Sequence, residues 1–129
     1  MAHLFVRKLP LLVFFLGLIL APLARAERPA AATAEIEYLL QKVASSDAKF
    51  IRDGTQYSPQ DAVALMRKKL SWAGDRVKTA DDFVSGIATK SSTNGKPYFI
   101  VMNGKQIPSG EWLTKVLAEH RAKGAKKAE

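Results

Sequence analysis

Five cations crowd one stretch of the chain: Arg67, Lys68 and Lys69, then Arg76 and Lys78. A guanidinium such as that of Arg67 can fork onto a carboxylate or phosphate through two parallel hydrogen bonds. Hydroxyls and turn amides would complete an oxyanion's shell, and Ser91-Ser92 with the Asn94-Gly95 turn can supply both. The candidate ligand-binding set is therefore Arg52, Arg67, Lys69, Arg76, Ser91, Ser92, Lys96 and Tyr98. The same cations would also suit the negative end of a helix dipole, which is the competing, purely structural account.

Other chemistries find few reagents. The chain has no cysteine and 2 histidines, His3 and His120. Zinc and its neighbours thus lack their usual ligands, and neither a metal nor a cofactor is expected. Ser46-Asp47-Ala48-Lys49 spells S-x-x-K, and Lys78-Thr79-Ala80 faintly echoes a second motif of penicillin-recognising enzymes. Those enzymes need a large two-part cleft, so the match reads as accident. His120 lies at the end of a helix, where an imidazolium favours the negative pole. Asp81 and Asp82 are adjacent, point apart on a helix and suit its positive end. No catalytic residue is assigned. The enzymatic alternative is an envelope-polymer hydrolase in which Asp and Glu side chains converge from distant positions.

The compartment follows from the first residues. Arg7-Lys8 is a positive head, "LPLLVFFLGLILAPLA" carries no charge, and Ala24 and Ala26 form an A-x-A end. These are the three parts of a secretory signal peptide, with cleavage expected after Ala26 and Glu27 as the new N-terminus. Pro10 and Pro22 bracket a run shorter than the ~20 apolar residues of a spanning helix. A membrane tether through an uncut segment is the alternative. Removing residues 1–26 takes away Arg7, Lys8 and Arg25 and no acid. The 20 basic side chains fall to 17 against 12 acidic ones, so the net charge falls from +8 to +5 over 103 residues. A soluble periplasmic protein is expected, with no stable membrane insertion after processing. Nucleic acid, otherwise a natural partner for a basic chain, is excluded by export. An anionic small molecule or envelope component remains as the partner class, and Lys123, Lys126 and Lys127 add loose attraction. Without cysteine there is no lipid anchor at the cut and no disulfide.

The elements that would position these residues are legible in the spacing. Residues 27–33 are alanine- and proline-rich and read as a loose leader. Residues 34–123 form a single α+β domain, and residues 124–129 form a disordered basic tail. Ile36, Leu39, Leu40 and Val43 fall on one helical stripe, with Thr33 as its N-cap. Asp53-Gly54 turns a short hairpin in "KFIRDGTQY". Ser58-Pro59-Gln60-Asp61 opens a second helix that buries Ala62, Val63, Met66 and Leu70 and stops at Gly74. Thr79-Ala80-Asp81-Asp82 opens a third, burying Phe83, Val84 and Ile87. Tyr98 to Met102 reads as a buried strand apolar on both faces, central in a sheet or covered by helices, and Asn103-Gly104 turns a second hairpin. Ser109 or Gly110 starts the last helix, with Trp112, Leu113, Val116 and Leu117 inward and Gly124 at its end. The expected architecture is four helices on a small antiparallel sheet built from two short hairpins, mainly helical. In this frame "SSTNGKP" is mainly punctuation: Gly95 permits the turn, Pro97 sets the chain's entry, and the strand follows.

One set of residues carries a family resemblance. Phe50, Arg52, Asp53 and Gly54 are followed by Asp61-Ala62, then by Arg67, Lys69 and Leu70. Arg76, Thr79, Ala80 and Asp81 come next, then Ser91, Ser92, Gly95, Lys96, Pro97 and Tyr98. In this order they resemble the YfeK-like family, small exported proteobacterial proteins with a domain of unknown function. The similarity runs from about Phe50 to Leu117, the first helix being weaker. It implies export to the periplasm and a shared fold. It implies no activity and transfers no functional residue. Asp53 stands where Asn is also usual, a swap within one turn type.

Overall fold

The computed structural model describes residues 27–128. The signal-peptide reading, with Ala24 and Ala26, falls on residues 1–26 and so lies outside the described residues. Helix α1 spans Ala30–Ala44 and buries Ala32, Ile36, Leu39, Leu40 and Val43, the expected stripe with one residue more. Its start differs from expectation. Pro29 is the cap and the Thr33 amide donates to the Pro29 carbonyl at 3.1 Å, so Thr33 sits inside the helix. The three alanines after Pro29 have the best intrinsic helix propensity, and proline's φ is already helical, so the chain winds earlier than the polar signal suggests. Nor is the segment before α1 loose. Arg28 donates from Nε to the Val77 carbonyl at 2.7 Å and from Nη2 to the Gly74 carbonyl at 3.2 Å.

Strands β1 (Lys49–Arg52) and β2 (Thr55–Tyr57) form the first hairpin, turned by Asp53 and Gly54 at φ 55° and 79°. Helix α2 (Pro59–Ala73) follows, where the Ser58 hydroxyl accepts from the Asp61 amide at 3.1 Å. Gly74, at φ 56°, ends it and leads into a 3-10 turn, Gly74–Arg76. Helix α3 (Ala80–Phe83) opens with a complete capping box: Thr79 Oγ1 accepts from the Asp82 amide while the Asp82 carboxylate accepts from the Thr79 amide. It runs directly into a π-helical turn, Val84–Ala88. Strands β3 (Phe99–Met102) and β4 (Lys105–Pro108) form the second hairpin, and α4 spans Ser109–Ala128. Gly124 does not end α4, and residues 124–128 are helical rather than a disordered tail. One glycine costs only about 1 kcal/mol, while flanking Ala and Lys favour helix and the lysines complement its C-terminal pole.

The two hairpins join through their inner strands into one antiparallel sheet of order β2-β1-β3-β4, with Phe50 opposite Ile100 and Tyr57 opposite Phe50. The protein is thus α+β and mainly helical, as the sequence predicts. Phe50 and Ile100 face the helices and are buried with Leu39, Leu40, Phe83 and Leu113. Strand β3 is interior in the sheet, one of the two placements expected, but burial of both its faces fails: Phe99 and Val101 are only half-buried. Among the described residues the helices pack on one face, so alternate residues of β3 look outward beside Ile51. No helix of the described residues is long and apolar enough to cross a membrane.

Candidate functional site

Ala62, Met66 and Lys69 are the three most buried side chains of α2, at i, i+4 and i+7 on one stripe. A lysine in that row carries its ammonium into the protein, and Lys69 is only 6 % exposed. Its Nζ donates to the Ile87 carbonyl at 2.7 Å, the Lys90 carbonyl at 3.1 Å and the Tyr98 hydroxyl at 2.9 Å. It also lies 4.8 Å from the centre of the Tyr98 ring. All three hydrogens of an ammonium are therefore placed. The compensation for the buried charge is dipolar: carbonyls released where the π turn ends and the face of an aromatic ring.

Tyr98 stands at the entrance to β3, its amide donating to Thr89 and its carbonyl accepting from the Ser109 amide, both at 2.9 Å. Its hydroxyl accepts from Lys69, so its own hydrogen remains to be donated. On the solvent side is Arg52, whose guanidinium is held above its ordinary pKa chiefly by the Tyr57 hydroxyl and further by Tyr98. Ser109 closes the other side. It is completely buried, and its Oγ is the one buried side-chain polar atom without a hydrogen-bond partner among the described residues. Arg52, Tyr57, Lys69, Tyr98 and Ser109, with Phe50, Ala62 and Met66, line a narrow cleft of about 20 Å³. That is room for about one water-sized group. The charged side chains lining it are both cations.

The eight residues proposed from sequence do not meet at one place. Arg52, Lys69 and Tyr98 share the cleft. Arg76 and Ser92 lie in a separate groove of about 540 Å³ beyond Lys69, whose stem borders both. Arg67 forks onto a carboxylate as its chemistry allows, but that carboxylate is internal: Glu37 of α1, at 2.8 and 3.0 Å. This pair holds Glu37 below the usual carboxylate range, through the hydrogen bonds first and the charge second. Arg76 caps the end of α2, donating to the carbonyls of Ala73 at 3.2 Å and Trp72 at 3.3 Å. Ser91 is buried within its own turn, accepting from the Thr93 amide at 3.2 Å while its carbonyl accepts from Gly95 at 3.0 Å. Ser92 is exposed. Lys96 reaches Asp53 at 3.5 Å, and Asn94 donates to the same carboxylate at 2.9 Å, which fastens the turn to the first hairpin.

Sequence reasoning passed over Ser109, Tyr57 and Trp72. Ser109 was legible only as a helix start, and nothing local marks its hydroxyl as unpartnered. The stripe position of Lys69 is the one signal that separates it from Arg67 and Lys68. The carboxylate-pair alternative needs a buried acid in a cleft, and the buried charged or polar residues among those described are Lys69, Ser91 and Ser109. No group of three or more His, Cys, Asp or Glu comes together among the described residues in a way that could hold a metal ion.

The elements that build this cleft lie within a span that matches a known family. A family model for a family of unknown function, DUF5329, matches residues 30–121. The chain belongs to the DUF5329 family. The matched span covers every element from α1 into α4, the Lys69 cleft included. The uncharacterized protein YfeK of Salmonella typhimurium (strain LT2) is 36 % identical over 66 residues, 50 % of this chain and 55 % of the relative. The aligned part is thus about half of either protein. No solved structure matches the chain.

Proposed function

We propose that this DUF5329 protein is a non-enzymatic binding or accessory protein of the periplasm, taking an anionic group of a small molecule or envelope component at the Lys69–Tyr98 cleft. The Ser109 hydroxyl carries the reading: buried, unpartnered and in a cleft whose charged neighbours are cations. An unpaired buried hydroxyl costs about 1–3 kcal/mol. One acceptor oxygen beside it would take the Ser109 and Tyr98 hydrogens together. The cleft's size sets how that oxygen arrives. A single carboxylate, phosphate or sulfate oxygen fits, while the rest of the ligand stays outside against Arg52 and Tyr57. Arg7-Lys8, the uncharged run and the A-x-A end support delivery by export with cleavage after Ala26.

Calorimetry and thermal unfolding at constant ionic strength test the binding, with phosphate, sulfate, acetate and chloride as the probes. The expected result is a stabilising shift with one or more oxyanions beyond that of chloride, reduced in Ser109→Ala and Tyr98→Phe. A response no larger than chloride's, or one indifferent to both variants, rejects the cleft as an anion site. Intact mass of the exported protein tests the compartment, a species beginning at Glu27 being expected.

A further inference from the structure

Trp72 is 69 % exposed, the one large apolar side chain left open to solvent among the described residues. It is not idle surface at a loop tip. It forms one wall of the 540 Å³ groove between the end of α2 and the π turn, a volume within the usual range for small-molecule sites. The Lys68 ammonium lies 5.2 Å from the ring centre on one side, which leaves the indole a face for stacking. The remaining walls alternate in character. Val77 is buried and apolar, whereas Arg76, Asp82, Ser85 and Ser92 are polar.

The polar groups are held in place yet not used up. Arg76 spends two N–H donors on the carbonyls of Trp72 and Ala73, and a guanidinium has about five. Asp82 accepts the Lys78 and Thr79 amides on Oδ2, at 3.0 and 3.2 Å, which leaves Oδ1 as an acceptor. Fixed donors, a fixed carboxylate acceptor and an aromatic face in one groove describe a particular kind of partner. A bare oxyanion would be repelled by Asp82 and would make no use of the indole. A pyranose ring uses all three. Its C–H face, slightly positive, lies on the negative face of the ring. Its hydroxyls both donate, to Asp82 and to the Ser85 oxygen, whose own hydrogen goes to the Asp82 carbonyl at 3.5 Å, and accept, from Arg76 and Ser92.

We infer that this groove is a second binding site, independent of the cleft, for a sugar ring of a glycan, with Trp72 as its platform. The probes are the tetrasaccharides of N-acetylglucosamine and of glucose, with inorganic phosphate as the contrast. The readout is the Trp72 indole N–H in NMR titrations of the protein. A saturable shift with at least one tetrasaccharide is expected. Titration followed at the neighbouring backbone amides should show affinity weakened about three- to tenfold in Trp72→Ala and partly recovered in Trp72→Phe. Because Trp72 is exposed, its variants should unfold at the same temperature as the parent. Tyr98→Phe should leave the sugar response intact, which separates this site from the cleft. No saturation with either sugar, equal affinity in Trp72→Ala, loss in Tyr98→Phe, or an equal response to phosphate would each overturn the inference.

Discussion

Arg121 and Lys69 answer the same problem, a positive charge held against the protein body, in opposite ways. Arg121 on α4 is matched with carboxylates, donating to Glu35 of α1 at 2.8 and 2.9 Å and to Asp81 of α3 at 3.0 and 3.4 Å. Arg67 repeats the arrangement with Glu37. These clamps tie helices together at the surface, and water screens them. Lys69 is buried and leans on carbonyls and a phenol, with Arg52 close behind. Ion pairs that close on themselves leave nothing to recognise. A cationic cleft lined by no acid still has an attraction to offer. The difference separates cations matched by carboxylates from cations matched by carbonyls and phenols, and the proposed anion site rests on the second kind.

Four measurements test that contrast. The largest effect is expected from Lys69→Met. It keeps the stem's packing but strips the hydrogen-bond donors from the Ile87 and Lys90 carbonyls and from Tyr98. Denaturant unfolding should show a loss of about 1–3 kcal/mol, whereas a change below that of the surface variants would make the buried lysine dispensable. Arg121→Ala comes next. It frees two carboxylates, but the arginine is 44 % exposed, so about 1 kcal/mol is the expected scale.

Acid should act through the clamps as well. The arginines hold Glu35, Glu37 and Asp81 below the ordinary carboxylate range, by hydrogen bonds first. A folded-state pKa below the unfolded one gives stability that is complete above about pH 4 and is lost as pH falls through the lowered folded values. The unfolding midpoint should therefore drop steeply below about pH 4, less so in high salt, and Arg121→Ala should flatten the slope. A midpoint that ignores both salt and the variant would remove the clamps from the account. The smallest effect belongs to Ser109→Ala. Deleting an unpartnered hydroxyl relieves its desolvation cost but leaves a void where the oxygen packed, so the net should be no change or a gain of about a few tenths of a kcal/mol, and a loss above about 1 kcal/mol would mean that the hydroxyl has a partner.

Much of the fold was legible because its signals are local. Asp53-Gly54 and Asn103-Gly104 demand positive φ, and both turns form at φ 51–79°. Ser58 and Thr79 cap as their spacing implies. Where local reading went astray, the competing terms were weak or distant. Alanine propensity beat Thr33 as a start signal, and one glycine was too cheap to end α4. The exposure of Phe99 and Val101 depends on which side of the sheet the helices take, which no strand pattern states. The site suffered most, because Arg67 and Lys69 look alike in a run of basic residues. Their fates rest on Glu37, 30 residues away, and on Ile87, 18 residues away.

The order of residues alone set the element order, the turns, the N-caps of α2 and α3 and the apolar stripes. Each depends on backbone preferences and side chains within a few residues of one another. Folding in three dimensions alone set which cations meet carboxylates and which, like Lys69, meet carbonyls and a phenol. It also decided that Ser109 is sealed without a partner while Trp72 is left beside a groove. Charge pairing and burial are set by distance in space, and 86 residues of chain separate Glu35 from Arg121 although their atoms lie 2.8 Å apart.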